Sequence, residues 1–105
     1  MNDRLTALRA LLDEDPGDAF TRYALAQELR SRGSVGEALE HFAHLLREQP
    51  DYLATYYHYA ALLHAEGRSA EALEVIERGV AAAEAAGDAH TRGELEDLRD
   101  EVAAG

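Results

Sequence analysis

Between Arg22 and Glu84 the chain repeats itself at a fixed distance. Ala26, Leu29, Gly33, Glu37, Ala38, Leu39 and Glu40 return 34 positions later as Ala60, Leu63, Gly67, Glu71, Ala72, Leu73 and Glu74. Leu25, Phe42 and Leu46 are answered at the same distance by Tyr59, Ile76 and Val80. A unit of this length holds two helices and a turn, and it buries its apolar face only by stacking on a neighbour. The expectation is an all-α chain built from antiparallel helix pairs.

Local signals divide the chain further. Asn2 or Asp3 can cap a first helix whose leucines at 5, 8, 11 and 12 form one stripe, and Asp13, Glu14, Asp15 and Pro16 end it. These leucines align with Leu39, Phe42, Leu45 and Leu46, so this helix reads as the second half of a repeat whose first half is missing. Asp18 caps a helix expected from Ala19 to Arg32, with Arg22, Leu25, Ala26 and Leu29 inward. Gly33 turns the chain, and Ser34 with Glu37 forms a capping box for a helix from Val35 to Glu48 that buries Ala38, Leu39, Phe42, Leu45 and Leu46. After Gln49-Pro50 the cycle returns: Asp51 caps Tyr52 to Glu66, Gly67 turns, and Ser69 caps a helix running to about Ala86. Glu84 stands where Pro50 would recur, so nothing stops that helix early. Asp88, Ala89, His90, Thr91 and Arg92 then echo Asp18, Ala19, Phe20, Thr21 and Arg22, and a last helix is expected from Ala89 to Ala103. A single domain over 1–105 thus divides into a capping helix (1–15), two repeats (17–50 and 51–86) and a C-terminal capping helix (88–103).

The 34-residue unit resembles the tetratricopeptide repeat. Against that family's order of large aromatic, leucine, small residue, bulky residue, glycine, alanine, aromatic, alanine and proline, the first copy offers Arg22, Leu25, Ala26, Leu29, Gly33, Ala38, Phe42, Leu45 and Pro50. The second offers Tyr56, Tyr59, Ala60, Leu63, Gly67, Ala72, Ile76, Gly79 and Glu84. The departures are Arg22 for the first aromatic, Leu45 and Gly79 for the second alanine, and Glu84 for the proline. The resemblance implies a short right-handed superhelix of stacked helix pairs with half-repeat caps at both ends. First helices would line a concave groove and second helices the outside. The whole is similar to small stand-alone bacterial repeat proteins, for which no common activity is implied.

Composition narrows the partners. The formal net charge is −11, every one of the ten basic residues is arginine, and cysteine is absent. Such a surface repels phosphate backbones and anionic lipids, so nucleic acid and membranes are set aside and a basic or neutral protein or peptide suits it better. Acidity that only keeps a small protein soluble is the plainer account of the same number. Met1 to Arg9 mixes charges with leucines rather than opening as a leader, and a cytoplasmic protein is expected.

On the implied fold the groove is lined by Phe20, Tyr23, Gln27 and Arg30, then by Tyr57, His58, Ala61 and His64. Aromatics with polar tips bury area at low rotamer cost, and Gln27 and Arg30 could hold a peptide backbone or carboxylate. The opposing account packs Phe20 and Tyr23 on the first helix and Tyr57 on the last, which would close the groove. The branch of the family that clamps C-terminal carboxylates needs lysines and asparagines where Tyr23, Gln27, Ala54 and His58 stand, so that function is not implied. Glu94, Asp97 and Asp100 form an acidic wall on the last helix, read either as a solvated face or as the landing site of a basic peptide.

Nothing points to catalysis. His41 and His44 lie three apart on an outer helix, two ligands without a third, and read as solvated surface residues. His58 or His64 could meet a carboxylate such as Asp97. Ser31, Ser34 and Ser69 occupy turns and caps, and no glycine-rich phosphate loop occurs. No enzyme activity, catalytic residue, cofactor or metal is expected. The expected role is a non-catalytic module that binds a peptide or protein segment in its groove. The alternative is a structural scaffold that self-associates into homo-oligomers through its truncated ends.

Overall fold

The computed structural model describes residues 3–105, and all regular structure in it is helical. The helices are α1 (Arg4–Glu14), α2 (Ala19–Ser31), α3 (Val35–Glu48), α4 (Ala54–Ala65), α5 (Ser69–Ala86) and α6 (Ala89–Ala104). They gather into two compact units, one ending at Tyr52 and the other running from Leu53 to Gly105.

In the first unit α2 packs between α1 and α3. Leu8 and Leu12 of α1, Leu25, Ala26 and Leu29 of α2, and Ala38, Phe42, Leu45 and Leu46 of α3 are buried. Leu39 is only half-buried, and Leu11 stands 51% exposed, so α1 presents a narrower stripe than four leucines suggest. Asp3 caps α1 by accepting the Thr6 amide at 2.9 Å, whereas Asn2 lies outside the described residues. Asp18 caps α2, accepting from the Phe20 amide and, at 2.6 Å, from the Thr21 hydroxyl.

In the second unit α4, α5 and α6 pack mutually. Tyr56, Ala60 and Leu63 face Ala72, Ile76 and Ala83 in its core, joined by Leu95, Leu98 and Val102. Gly79 is held tight: a Cβ there would lie 2.7 Å from Tyr56 Cβ and 2.9 Å from Leu95 Cδ1. Its missing side chain lets α4 and α6 seat directly on the α5 backbone. Asp88 caps α6 as Asp18 caps α2, taking the Thr91 amide at 2.9 Å and the Thr91 hydroxyl at 2.7 Å.

Both repeat turns close on left-handed glycines, Gly33 at φ 81° and Gly67 at φ 78°. Each is followed by an amide that reaches back to a core leucine carbonyl, Ser34 to Leu29 at 2.9 Å and Arg68 to Leu63 at 2.8 Å. Three caps differ from the sequence reading. Ser34 makes no side-chain cap, and Glu37 accepts from the Arg9 guanidinium at 2.6 Å instead of reaching back to Ser34, so neither half of the capping box forms. Asp51 does not cap α4: the chain first closes a turn from the Tyr52 amide to the Gln49 carbonyl, and the helix starts only at Ala54 after Leu53. Ser69 lies inside α5 rather than before it, and its hydroxyl meets His64 Nδ1 at 3.0 Å.

Candidate functional site

In the first unit, Phe20 sits in the opening turn of α2 with 64% of its surface exposed. Tyr23, one turn on, is half-buried, edge-on to Phe42 at 6.5 Å and tilted against Tyr52 at 5.8 Å. Burial pushes its phenol up, with a hydrogen bond to Gln27 opposing. Gln27 and Arg30 are likewise half-buried on α2.

The histidine pair on α3 corrects an expectation. His41 is not a solvated residue: its side chain is 18% exposed, and its Nδ1 lies 3.1 Å from Arg22 Nη1 while Nε2 faces Glu37 at 3.7 Å. Arg22 also donates to the Pro16 carbonyl at 3.1 Å. A cation thus takes the place of the family's aromatic because a histidine and a carbonyl stand ready to receive it. His44 is half-buried beside Arg47. Among the described residues no three His, Cys, Asp or Glu come close enough to share a metal ion.

In the second unit, Tyr57, His58, Ala61 and His64 are all half-buried on α4. The Tyr57 and His58 rings meet edge to face at 5.3 Å. His64 Nδ1 meets the Ser69 hydroxyl at 3.0 Å, and the other edge of the ring lies beside Gly105 at the end of α6. Tyr57 faces α6 across a cleft of about 350 Å³ lined also by Glu94, Asp97, Leu98 and Glu101. A second hollow of about 420 Å³ shares Tyr57 and Glu94 and adds Leu53, Ala54, His58, Asp88 and Thr91. Of the acidic wall, Glu94 and Asp97 line the first cleft, and Asp100 is exposed outside it. Leu98 was not singled out from the sequence, although positions 94, 97, 98 and 101 follow the i, i+3, i+4, i+7 rhythm of one helix face.

The charges of α6 are sorted by face. Arg92 pairs with Glu96 at 3.9 Å, and Arg99 pairs with Glu77 of α5 at 2.9 Å and with Glu96 at 3.8 Å. Both arginines of this helix are thereby held by carboxylates that do not line the cleft. On the cleft side Glu94 has His90 Nε2 at 3.4 Å, a cation only when protonated. A half-buried phenol therefore stands opposite carboxylates that the chain's own arginines leave alone.

Comparison with known proteins places this geometry. The tetratricopeptide repeat profile matches residues 29–91, more than half of the chain. The chain belongs to the tetratricopeptide repeat family. A tetratricopeptide repeat domain protein from Salinibacter ruber, solved in solution by NMR, is 36% identical over 84% of this chain and 89% of its own, with a TM-score of 0.80. A crystal structure of a tetratricopeptide repeat domain protein from the same organism is 34% identical over 83% of this chain and 97% of its own, with a TM-score of 0.78. A protein from Bordetella parapertussis is 25% identical over 99% of this chain and 90% of its own, with a TM-score of 0.83. No curated protein matches the chain. These relatives make it a small repeat protein of bacterial type, with the all-α helix-pair fold. That fold is in general a protein–protein interaction module, and proteins built on it are typically non-catalytic scaffolds. No helix among the described residues is long and apolar enough to cross a membrane.

Proposed function

We propose that this tetratricopeptide repeat protein is a non-catalytic interaction module that holds a peptide or protein segment in the cleft between α4 and α6. The carrying observation is the cleft itself, where the Tyr57 ring and the apolar Leu98 adjoin polar groups in an open concavity. Concave sites with an aromatic anchor and a few convergent polar groups are the usual form of a binding site. The neighbouring hollow, entered past the same Tyr57, extends the surface toward Ala54, His58 and Thr91, which suits an extended segment better than a compact small molecule. Ala61 and His64 lie further along α4 and would contact only a longer ligand. The excess of carboxylates favours a basic or neutral partner over nucleic acid or an anionic membrane. A cytoplasmic location is part of the same proposal.

The test is chemical-shift mapping of the full chain with a peptide library. Shifts clustered on Tyr57, His58, Thr91 and Asp97 support the cleft, and shifts confined to α3 and α5 overturn it. The first unit supports a second reading. Phe20 and Leu11 are its large exposed apolar side chains, and self-association through them would bury both. Sedimentation across a concentration range decides that reading: an unchanged monomer, alike in wild type and Phe20→Ser, rejects it. Tyr23, Gln27 and Arg30 would then serve the first unit's own packing or its own ligand contacts.

A further inference from the structure

Resting on that reading of the cleft, we propose that the bound segment enters it with an arginine side chain. The cleft has the three parts a guanidinium group needs. Leu98, a core residue, closes the floor of the cleft so that the methylene stem rests on apolar packing rather than on water. Tyr57 supplies an aromatic wall on which a delocalised planar cation stacks. Glu94, Asp97 and Glu101 supply acceptors at successive turns of α6, so that neighbours lie about 5–6 Å apart. A guanidinium donates from two edges of one plane and can bridge two such carboxylates, whereas a lysine ammonium is a single point charge that stacks less well.

The pairing pattern of α6 argues in the same direction. Its own arginines, Arg92 and Arg99, are engaged with Glu96 and Glu77, away from the cleft. Among the described residues no ion pair reaches Asp97 or Glu101, and the partner of Glu94 is His90, a cation only when protonated. Like charges stacked along one helix face repel until a cation comes between them. The cleft therefore presents negative charge and an aromatic ring to any ligand, while the helix's two arginines are engaged with Glu96 and Glu77 outside it.

The experiment selects random twelve-residue peptides by display against the full chain, maps the enriched ones by chemical shift, and measures each beside versions in which arginine becomes lysine or citrulline. Cleft-binding peptides should carry an arginine whose replacement by citrulline weakens binding by about ten-fold or more, with lysine intermediate. The Asp97→Asn and Glu101→Gln variants should show the same loss, and Glu84→Gln, on the exposed side of α5, should not. Peptides that map to the cleft but tolerate citrulline overturn the arginine subsite and leave the cleft reading standing. Equal loss on substitution at Glu84 reduces the effect to net charge and overturns it too. If no enriched peptide of any charge reaches Tyr57 or Leu98, both readings fall together.

Discussion

The two repeats share a backbone plan and fill it differently. At positions 34 apart, Arg22 and His41 of the first repeat stand where the second has Tyr56 and Val75, and Leu45 stands where the second has Gly79. In the first repeat Arg22 donates from Nη1 to the neutral His41 ring at Nδ1, 3.1 Å away, and Leu45 is fully buried. In the second, Tyr56 and Val75 are both buried, and Gly79 makes room for Tyr56 and Leu95. Volume gained at one position is given up at another, so what recurs is the packed set and not each member of it. Close packing demands this, because an interior near crystalline density registers a change of even one methylene. The caps differ as well: α1 has 11 residues, and α6 has 16 and packs on both α4 and α5. That second contact is what builds a cleft at Tyr57.

The largest test of this exchange places the family's alanine at both sites. Leu45→Ala empties a fully buried position and should destabilise by about 2–5 kcal/mol. Gly79→Ala adds a single methyl where nothing fits, 2.7 Å from Tyr56 Cβ and 2.9 Å from Leu95 Cδ1, and should cost about 1–3 kcal/mol by forcing α4 or α6 outward. Denaturant melts of the full chain measure both. The same consensus residue is thus wrong in the two repeats for opposite reasons. A neutral or stabilising Gly79→Ala would show that the approach of Tyr56 to α5 is not tight, and the packed-set account would fail in the second unit.

The fold was legible because its signals are local or periodic. Asp18 and Asp88 announce helices through the same spacing to Thr21 and Thr91, and both carboxylates cap as that spacing implies. Gly33 and Gly67 turn the chain in the conformation a helix-ending glycine adopts. The capping box was lost to tertiary competition, since Glu37 had an Arg9 partner that only folding brings near, whereas Asp51 lost its helix start to a local turn and the Ser69 hydroxyl meets His64 across one. The same competition hid the state of His41, whose partners Arg22 and Glu37 lie 19 positions before it and 4 before it. At the candidate site Tyr57 and the carboxylates were visible as residue types, whereas Leu98 needed the phase of α6 against α4. Asp100 shares the acidic run but not that phase.

The turns provide a sharper control, since there the repeats agree. Gly33 and Gly67 have φ of 81° and 78°, and an added Cβ at either would meet nothing within 4 Å. The whole cost of an alanine is then the left-handed backbone, about 1–2 kcal/mol, and it should be equal at the two sites. Gly36→Ala, on a helical glycine with equally open surroundings, should instead stabilise by a few tenths to about 1 kcal/mol. Thermal melts of the three variants check this. Unequal costs at Gly33 and Gly67 would mean that the turns, too, are differently constrained.

The smallest effect lies where the repeats differ in charge. Arginine has donors only, so His41 Nδ1 accepts from Arg22 and the neutral ring carries its hydrogen on Nε2, toward Glu37. Protonation at Nδ1 would set imidazolium against guanidinium. Burial first and the Arg22 charge second accordingly hold the His41 pKa below its ordinary 6.5, with Glu37 opposing and the Arg9 charge adding slightly. His44 is lowered in the same direction by burial and then by Arg22. For a base whose folded pKa is depressed, the contribution to stability is complete above the unfolded value and is lost as pH falls through the folded one, because the unfolded chain takes up the proton first. Loss from His41 therefore begins near pH 6.5, and loss from Glu37, whose carboxyl is lowered mainly by the Arg9 hydrogen bond, begins only near its ordinary 4.5. Arg22 Nε is buried without a hydrogen-bond partner, so exchanging the pair for the second repeat's residues, Arg22→Tyr with His41→Val, should be neutral or stabilising at about pH 7.5. Denaturant melts at about pH 7.5 and about pH 5.5 should then show a smaller acid loss in the double variant than in the wild type. An equal loss in both would place the acid sensitivity outside the Arg22–His41 contact and remove the electrostatic half of the contrast between the repeats.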